Sequence, residues 1–244
     1  MINKIYKIIN NKYSRFLKFV FFLRYLFLIF FVAIILFLSI PHFFDYKKKE
    51  KIIKDHISQN YNLEIMKMEN IKFKPFPLPH LSVENLTFNY HSRKENLVSQ
   101  KLIIFPKLFS IYNYQNFEVR KIKIENSKLK INSKEIRLLA YKISNLKKKI
   151  YFKNLDVKIE DNNKHVIEFK NLNFLNYGYR KNKISGNVFN KKFKVDFNDG
   201  YKDINFVLLN TGVFAKLDIL ENNLDGNFIG TLKGKVLTSK FKLN

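Results

Sequence analysis

The sequence predicts a mainly β protein: an N-terminal transmembrane helix and a short amphipathic helix, followed by a curled antiparallel sheet shaped like a groove. Three observations lead there. One apolar run of 22 residues lies near the start. From Leu63 onward, apolar and polar residues alternate with period two, in short runs separated by Asn- and Gly-containing turns. Three of these runs break the alternation in the same way, with apolar residues at i, i+3 and i+5.

Residues 1–18 form a basic tail, with Lys4, Lys7, Lys12, Arg15 and Lys18 and no acid. Residues 19–40, FVFFLRYLFLIFFVAIILFLSI, are the anchor. As a helix the run is about 33 Å long at ~1.5 Å per residue, enough for a ~30 Å hydrocarbon core. Arg24 lies one turn inside, where it can snorkel, and Tyr25 suits the interface. A run apolar on all sides fits lipid better than a soluble core. No A-x-A cleavage site follows, so an uncleaved anchor is expected rather than a signal peptide. Lys47, Lys48, Lys49, Lys51 and Lys54 follow the run, offset by Asp45, Glu50 and Asp55. The charge rule is therefore nearly balanced and tips toward a cytoplasmic N-terminus.

Pro41 ends the anchor. Within residues 41–62, Ile53, Ile57 and Tyr61 share one helical stripe, and this helix is expected to cap the following body rather than lie on head groups. Residues 63–244 form the β-rich domain. Alternation marks Ile71 and Phe73, Ile122 and Ile124, Leu129 and Ile131, and continues to Phe241 and Leu243. Leu224 and Phe228 belong to the same pattern. PFPLPH (75–80) reads as a stiff extended crossing outside any central strand, and a short helix is expected just after Pro106. The repeated pattern occurs in VENLTF (83–88), FKNLDV (152–157) and FKNLNF (169–174), and nearly in VRKIKI (119–124). A step of three reverses facing in a strand unless a bulge restores it, so each copy predicts a bulge or corner that curls the sheet.

The net charge of +25 comes from 45 Lys+Arg against 20 Asp+Glu, and 39 of those bases are Lys. The abundance of Lys, Asn, Ile, Phe and Tyr is the composition an AT-rich genome produces, and evenly spread Lys reads first as a solvated face. Strict Phe/Lys alternation puts rings and charges on opposite faces, which argues against a nucleic-acid partner. With no Cys, disulfides and thiolate-held zinc are excluded. The five His have no metal-ligand spacing, and there is no P-loop, GxGxxG or GxSxG motif. Residues 196–203 resemble a calcium loop with its Gly displaced, better explained as a turn. Neither catalysis nor a cofactor is expected.

The order of basic tail, anchor, amphipathic helix and IKFKPFPLPHLSVENLTF (71–88), then LVSQKLIIF (97–105), LFSI (108–111) and FEVRKIKIENSKLKI (117–131), resembles the N-terminal region of the AsmA family (AsmA/TamB-like bacterial envelope proteins). The resemblance covers about residues 1–135. It departs from the family at residues 59–62, where a Thr-Gly is often found, at Ser127, where a Pro is common, and in total length. It implies a single-pass inner-membrane protein with its C-terminal body in the periplasm. Its partners would be phospholipid acyl chains and other envelope proteins, and it would lack catalytic residues. An LptC-like lipopolysaccharide-export subunit, a non-transporting assembly scaffold and a tethered polyanion binder are the alternatives.

The candidate groove residues are Val83, Phe88, Ile122, Ile124, Leu129, Ile131, Leu155, Val157, Phe169, Leu172, Phe193 and Val195. At each of them, an ordinary core closed by a second sheet would need the same alternation, and the two readings weigh equally.

Overall fold

The computed structural model describes residues 2–89, 96–136, 139, 148–162, 164–176, 182–198, 202–222, 228–236 and 239–243. The chain divides into two compact units, Met1–Phe44 and Asp45–Asn244.

The first unit is a helix, α1 (Ile2–Ser39), closed by a 3-10 turn at Ile40–Phe43 in which Pro41 stops the α-helical ladder. The basic tail expected at residues 1–18 is thus helical and continuous with the anchor, since no Pro or Gly interrupts it. The stretch Ser14–Phe43 is long and apolar enough to cross a membrane.

The second unit opens with α2 (Glu50–Tyr61), capped by Asn62 in the left-handed region (φ 53°). Twelve strands follow: β1 (Glu64–Lys74), β2 (His80–Asn89), β3 (Asn96–Pro106), β4 (Val119–Asn132), β5 (Lys149–Asp161) and β6 (Lys164–Asn176). Then come β7 (Asn182–Val188), β8 (Lys191–Asn198), β9 (Asp203–Leu208), β10 (Val213–Asn222), β11 (Phe228–Val236) and β12 (Ser239–Leu243). They form one sheet, not closed, whose spatial order is the chain order.

The pairing is mostly antiparallel, as alternation suggested, with one exception: β4 and β5 run parallel, Ile122 opposite Ile150 and Ile131 opposite Ile159. Sixteen residues separate the end of β4 from the start of β5, the dozen or more that a parallel pair requires. PFPLP (75–79) lies outside the strands, as expected, and joins two neighbours, Lys74 facing His80 across the five-residue link; the His80 that ends the motif opens β2. The helix expected after Pro106 is a 3-10 turn at Leu108–Ile111. Residue 224 lies outside the described residues, and β11 begins at Phe228.

The irregularities in the sheet are systematic. In each of the three repeats the third residue is an Asn with positive φ: Asn85 (51°), Asn154 (56°) and Asn171 (52°). Two more strands do the same, with Asn70 (52°) in β1 and Asn126 (52°) in β4. The near-repeat at 119–124 has Lys121 as its third residue and no left-handed residue, but its pairing with β3 still slips, Phe105 facing Lys121 and Pro106 facing Val119; a left-handed Asn enters β4 five residues later, at Asn126. Asn visits the left-handed region more readily than other side-chain-bearing residues, and one such residue lets apolar neighbours three apart return to the same face. The pairing slips beside several of these positions, between Phe152 and Leu155, between Lys170 and Asn173, and between Glu69 and Lys72. Polar contacts join the line of Asn residues across strands. Asn154 Nδ2 donates to Asn126 Oδ1 (3.1 Å), Asn85 Nδ2 to Glu69 Oε2 (3.2 Å), and the Asn171 amide to Asp156 Oδ1 (2.9 Å). In β7 the line meets Gly186, where a Cβ would lie 2.5 Å from Leu172 Cδ2 and 3.1 Å from the Lys170 carbonyl.

Helix α2 packs on β1 and buries Ile53, Ile57 and Tyr61, as a capping helix should. Its His56 reaches β4, where Nε2 accepts a hydrogen bond from the Val119 amide (3.3 Å), and its ring meets Phe117 edge-on. Accepting that bond requires the neutral imidazole. Burial depresses the His56 pKa, nearby Lys148 lowers it further, and Glu118 opposes both. Protonation is therefore easier in the unfolded chain than in the folded one. The stability His56 contributes is present above about pH 6.5, the ordinary imidazole value, and is lost as pH falls below it. His56→Gln, whose side-chain carbonyl can still accept from Val119, is expected to flatten that acid limb in thermal melts at a series of pH values. An unchanged pH profile would discount the assignment.

Candidate functional site

Rows of side chains cross the strands on the face that α2 partly covers. One row runs Val83, Leu102, Ile124, Phe152, Phe174, Ile184, Val195 and Phe206, each opposite the next. Its character changes along its length. Val83, Leu102 and Ile124 have no solvent exposure, Phe174 is still buried, and Phe152, Ile184, Val195 and Phe206 are partly exposed. A second row, Phe88, Leu97, Leu129, Val157, Phe169 and Val188, starts equally sealed at Phe88.

Where sealing gives way to exposure there is a cavity of about 410 Å³. Its walls come from β3 to β9, with Tyr61, Asn62 and Leu63 at the end of α2 and Ile136 and Leu139 from the return after β4. Along β5 it touches Ile150, Phe152, Leu155, Val157 and Ile159. That is nine steps, or about 30 Å at ~3.3 Å per strand residue. The rings of Phe152 and Phe174 lie 6.2 Å apart, Phe169 meets Phe193 edge-on at 5.6 Å, and Phe193 stacks on Phe206 at 5.9 Å. Among the described residues only Tyr61 and Asn62 bring polar side chains to this wall. The Tyr61 hydroxyl is buried without a hydrogen-bond partner among the described residues, and burial raises its pKa, so it stays protonated.

Eight of the twelve candidate residues line this cavity: Leu129, Ile131, Leu155, Val157, Phe169, Leu172, Phe193 and Val195. The other four, Val83, Phe88, Ile122 and Ile124, are fully buried and do not line it. They belong to the part of the sheet near α2, where the ordinary-core reading describes them. Lining residues absent from the candidates include Tyr61, Leu97, Phe152, Phe174, Ile184 and Phe206. Phe152 and Phe174 were within reach of the sequence, since each ends or begins one of the repeats.

The opposite face is wet and paired. Glu160 is bound by Lys130 (2.6 Å) and Lys158 (3.0 Å), and these contacts hold its carboxyl below the usual range. Glu125 meets Lys123 at 2.6 Å. Among the described residues no cluster of three His, Cys, Asp or Glu could hold a metal ion. What the arrangement can do chemically is exclude water from hydrocarbon, at about 0.8 kcal/mol for each methylene buried. No protein-family model matches this chain, and comparison with curated proteins finds no match.

Proposed function

We propose that this is a membrane-anchored protein of a bacterial envelope whose curled sheet shelters lipid acyl chains in an apolar groove, assisting phospholipid transfer or outer-membrane assembly. The anchor would lie in the inner membrane and the body in the periplasm. The observation that carries this reading is the elongated cavity walled by Leu, Ile, Val and Phe from seven successive strands, in a sheet that does not close. Its ~30 Å length is about twice the depth of one leaflet's hydrocarbon, so a whole acyl chain fits along it. The resemblance of residues 1–135 to AsmA proteins supports the same reading. The role is passive: the chain gains free energy by leaving water, and the head group stays solvated.

The test uses the full chain reconstituted with a phospholipid carrying a diazirine on its acyl chain. Irradiation is expected to label peptides from β5 and β6 as well as the anchor. Leu172→Lys, which places a charge in the cavity wall, is expected to abolish the β5 and β6 labels and leave the anchor's unchanged. Labelling confined to residues 14–43 would sink the groove reading. In that case, capture of envelope proteins by the same preparation would favour the scaffold.

A further inference from the structure

One end of the sheet carries a surface that the cavity does not explain. The β1–β2 link and the β3–β4 link both emerge there, about 10 Å apart at ~4.8 Å per strand. Their tips expose large apolar side chains: Phe76 at 72%, Leu78 at 53% and Phe109 at 75%. Single exposed apolar residues need no explanation, but three on neighbouring links at one end form a patch. Cations surround it. Lys74 ends β1, Lys107 begins the second link, Arg120 is the second residue of β4, and Lys148 precedes β5, which runs parallel to β4 and so starts at this end. The α2 helix also begins here, because His56 touches the start of β4 while Tyr61 leads to the far ends of β1 and β3. Lys47 and Lys48 precede that helix. The acids Asp45 and Glu118 each pair with one of these cations, Lys48 and Lys107. The polypeptide of the apolar anchor joins the body at Asp45.

We propose that this end of the sheet docks on an anionic phospholipid bilayer, with Phe76, Leu78 and Phe109 seated at the level of the head groups and the surrounding Lys and Arg on lipid phosphates. Apolar and aromatic tips within a basic ring match an interface that is apolar below and negatively charged above. A soluble partner would have to supply both features in the same order. The membrane arrives by covalent connection, since the anchor is continuous with the chain that enters α2. Docking in this way directs the Ile150–Phe174 end of the cavity toward the bilayer, giving an acyl chain a short path out of water. The inference needs only the anchor and these two links. It stands or falls separately from occupancy of the cavity.

The chain contains no Trp, so single substitutions report one position each. The variants are Phe76→Trp, Phe109→Trp and, as a control, Phe189→Trp, which sits 77% exposed in the β7–β8 turn at the opposite end. All three are surface changes in the full chain, reconstituted in vesicles of phosphatidylcholine and phosphatidylglycerol with brominated acyl chains. Phe76→Trp and Phe109→Trp are expected to emit at shorter wavelength and to lose most of their emission to bromine, while Phe189→Trp keeps a water-like spectrum. Replacing phosphatidylglycerol by phosphatidylcholine is expected to weaken the quenching at positions 76 and 109. Emission at both positions as water-like and unquenched as at 189 overturns the proposal, and quenching indifferent to anionic lipid overturns its electrostatic half. Diazirine labelling of β5 and β6 could survive either result, which keeps the two tests distinct.

Discussion

Phe88→Ala is expected to destabilise the body by about 3–5 kcal/mol, the range for emptying a large, fully buried site. Phe88 has no solvent exposure and stands at the sealed end of the row that continues through Leu97 and Leu129. The neighbouring side chains are held by strand pairing on both sides, so they can collapse into the space only partly. Phe206→Ala in the cavity wall is expected to cost clearly less, because that ring already meets water on one side. Urea denaturation of the two variants in detergent, read by circular dichroism, gives the comparison. Equal losses would mean that the β7–β9 region is as tightly closed as the region under α2, and the distinction between sealed core and open wall would fail.

Asn154→Val is the second large effect. Asn154 holds φ at 56°, and its amide nitrogen bonds Asn126 Oδ1 in the next strand. A left-handed conformation costs an ordinary residue roughly 1–2 kcal/mol, and a β-branched one is worse placed still. The same change at Asn126 strains its own strand, but the two losses are expected to add only in part, because the two side chains share one hydrogen bond. Asn154→Gly separates backbone from side chain, because Gly accepts the conformation freely but loses the amide link. The expected order of urea midpoints is wild type, then Asn154→Gly, then Asn154→Val. A valine variant as stable as the glycine variant would mean that the bulge is not what the site requires of its residue.

Strand positions and the buried face were legible because Lys alternates with Ile, Phe or Leu through most of β4, β5 and β8, and that alternation follows directly from the pleat. The bulges in β2, β5 and β6 were legible as a displaced apolar step. Those at Asn70 in β1 and Asn126 in β4 were not. In β4 the position after the left-handed Asn126 is Ser127, so the apolar triplet that marks the others is broken. In β1 the triplet is Met68, Ile71 and Phe73, complete but read as plain alternation from Ile71 onward. The parallel pairing of β4 with β5 could not be read, because alternation carries no direction. For the cavity, burial was foreseeable residue by residue, but the boundary between sealed and partly exposed positions was not. It depends on where α2 lies, and Ile53 and Ile57 look alike over any apolar surface.

Asn also changes how the composition is understood. With only 7 Gly in the chain, Asn fills nine of the ten left-handed positions that glycine does not occupy among the described residues. An abundance that looks like genomic drift therefore coincides with specific backbone requirements.

The order of strands in space equals their order in sequence, and this has a kinetic meaning. Nearly every pairing joins segments that follow one another, so loop-closure entropy is small at each step. A nascent chain delivered N-terminus first can add each new strand to a finished edge without waiting for distant residues. Among the described strands, the parallel junction of β4 and β5 alone interrupts this zippering, because β5 starts level with the start of β4 rather than with its end.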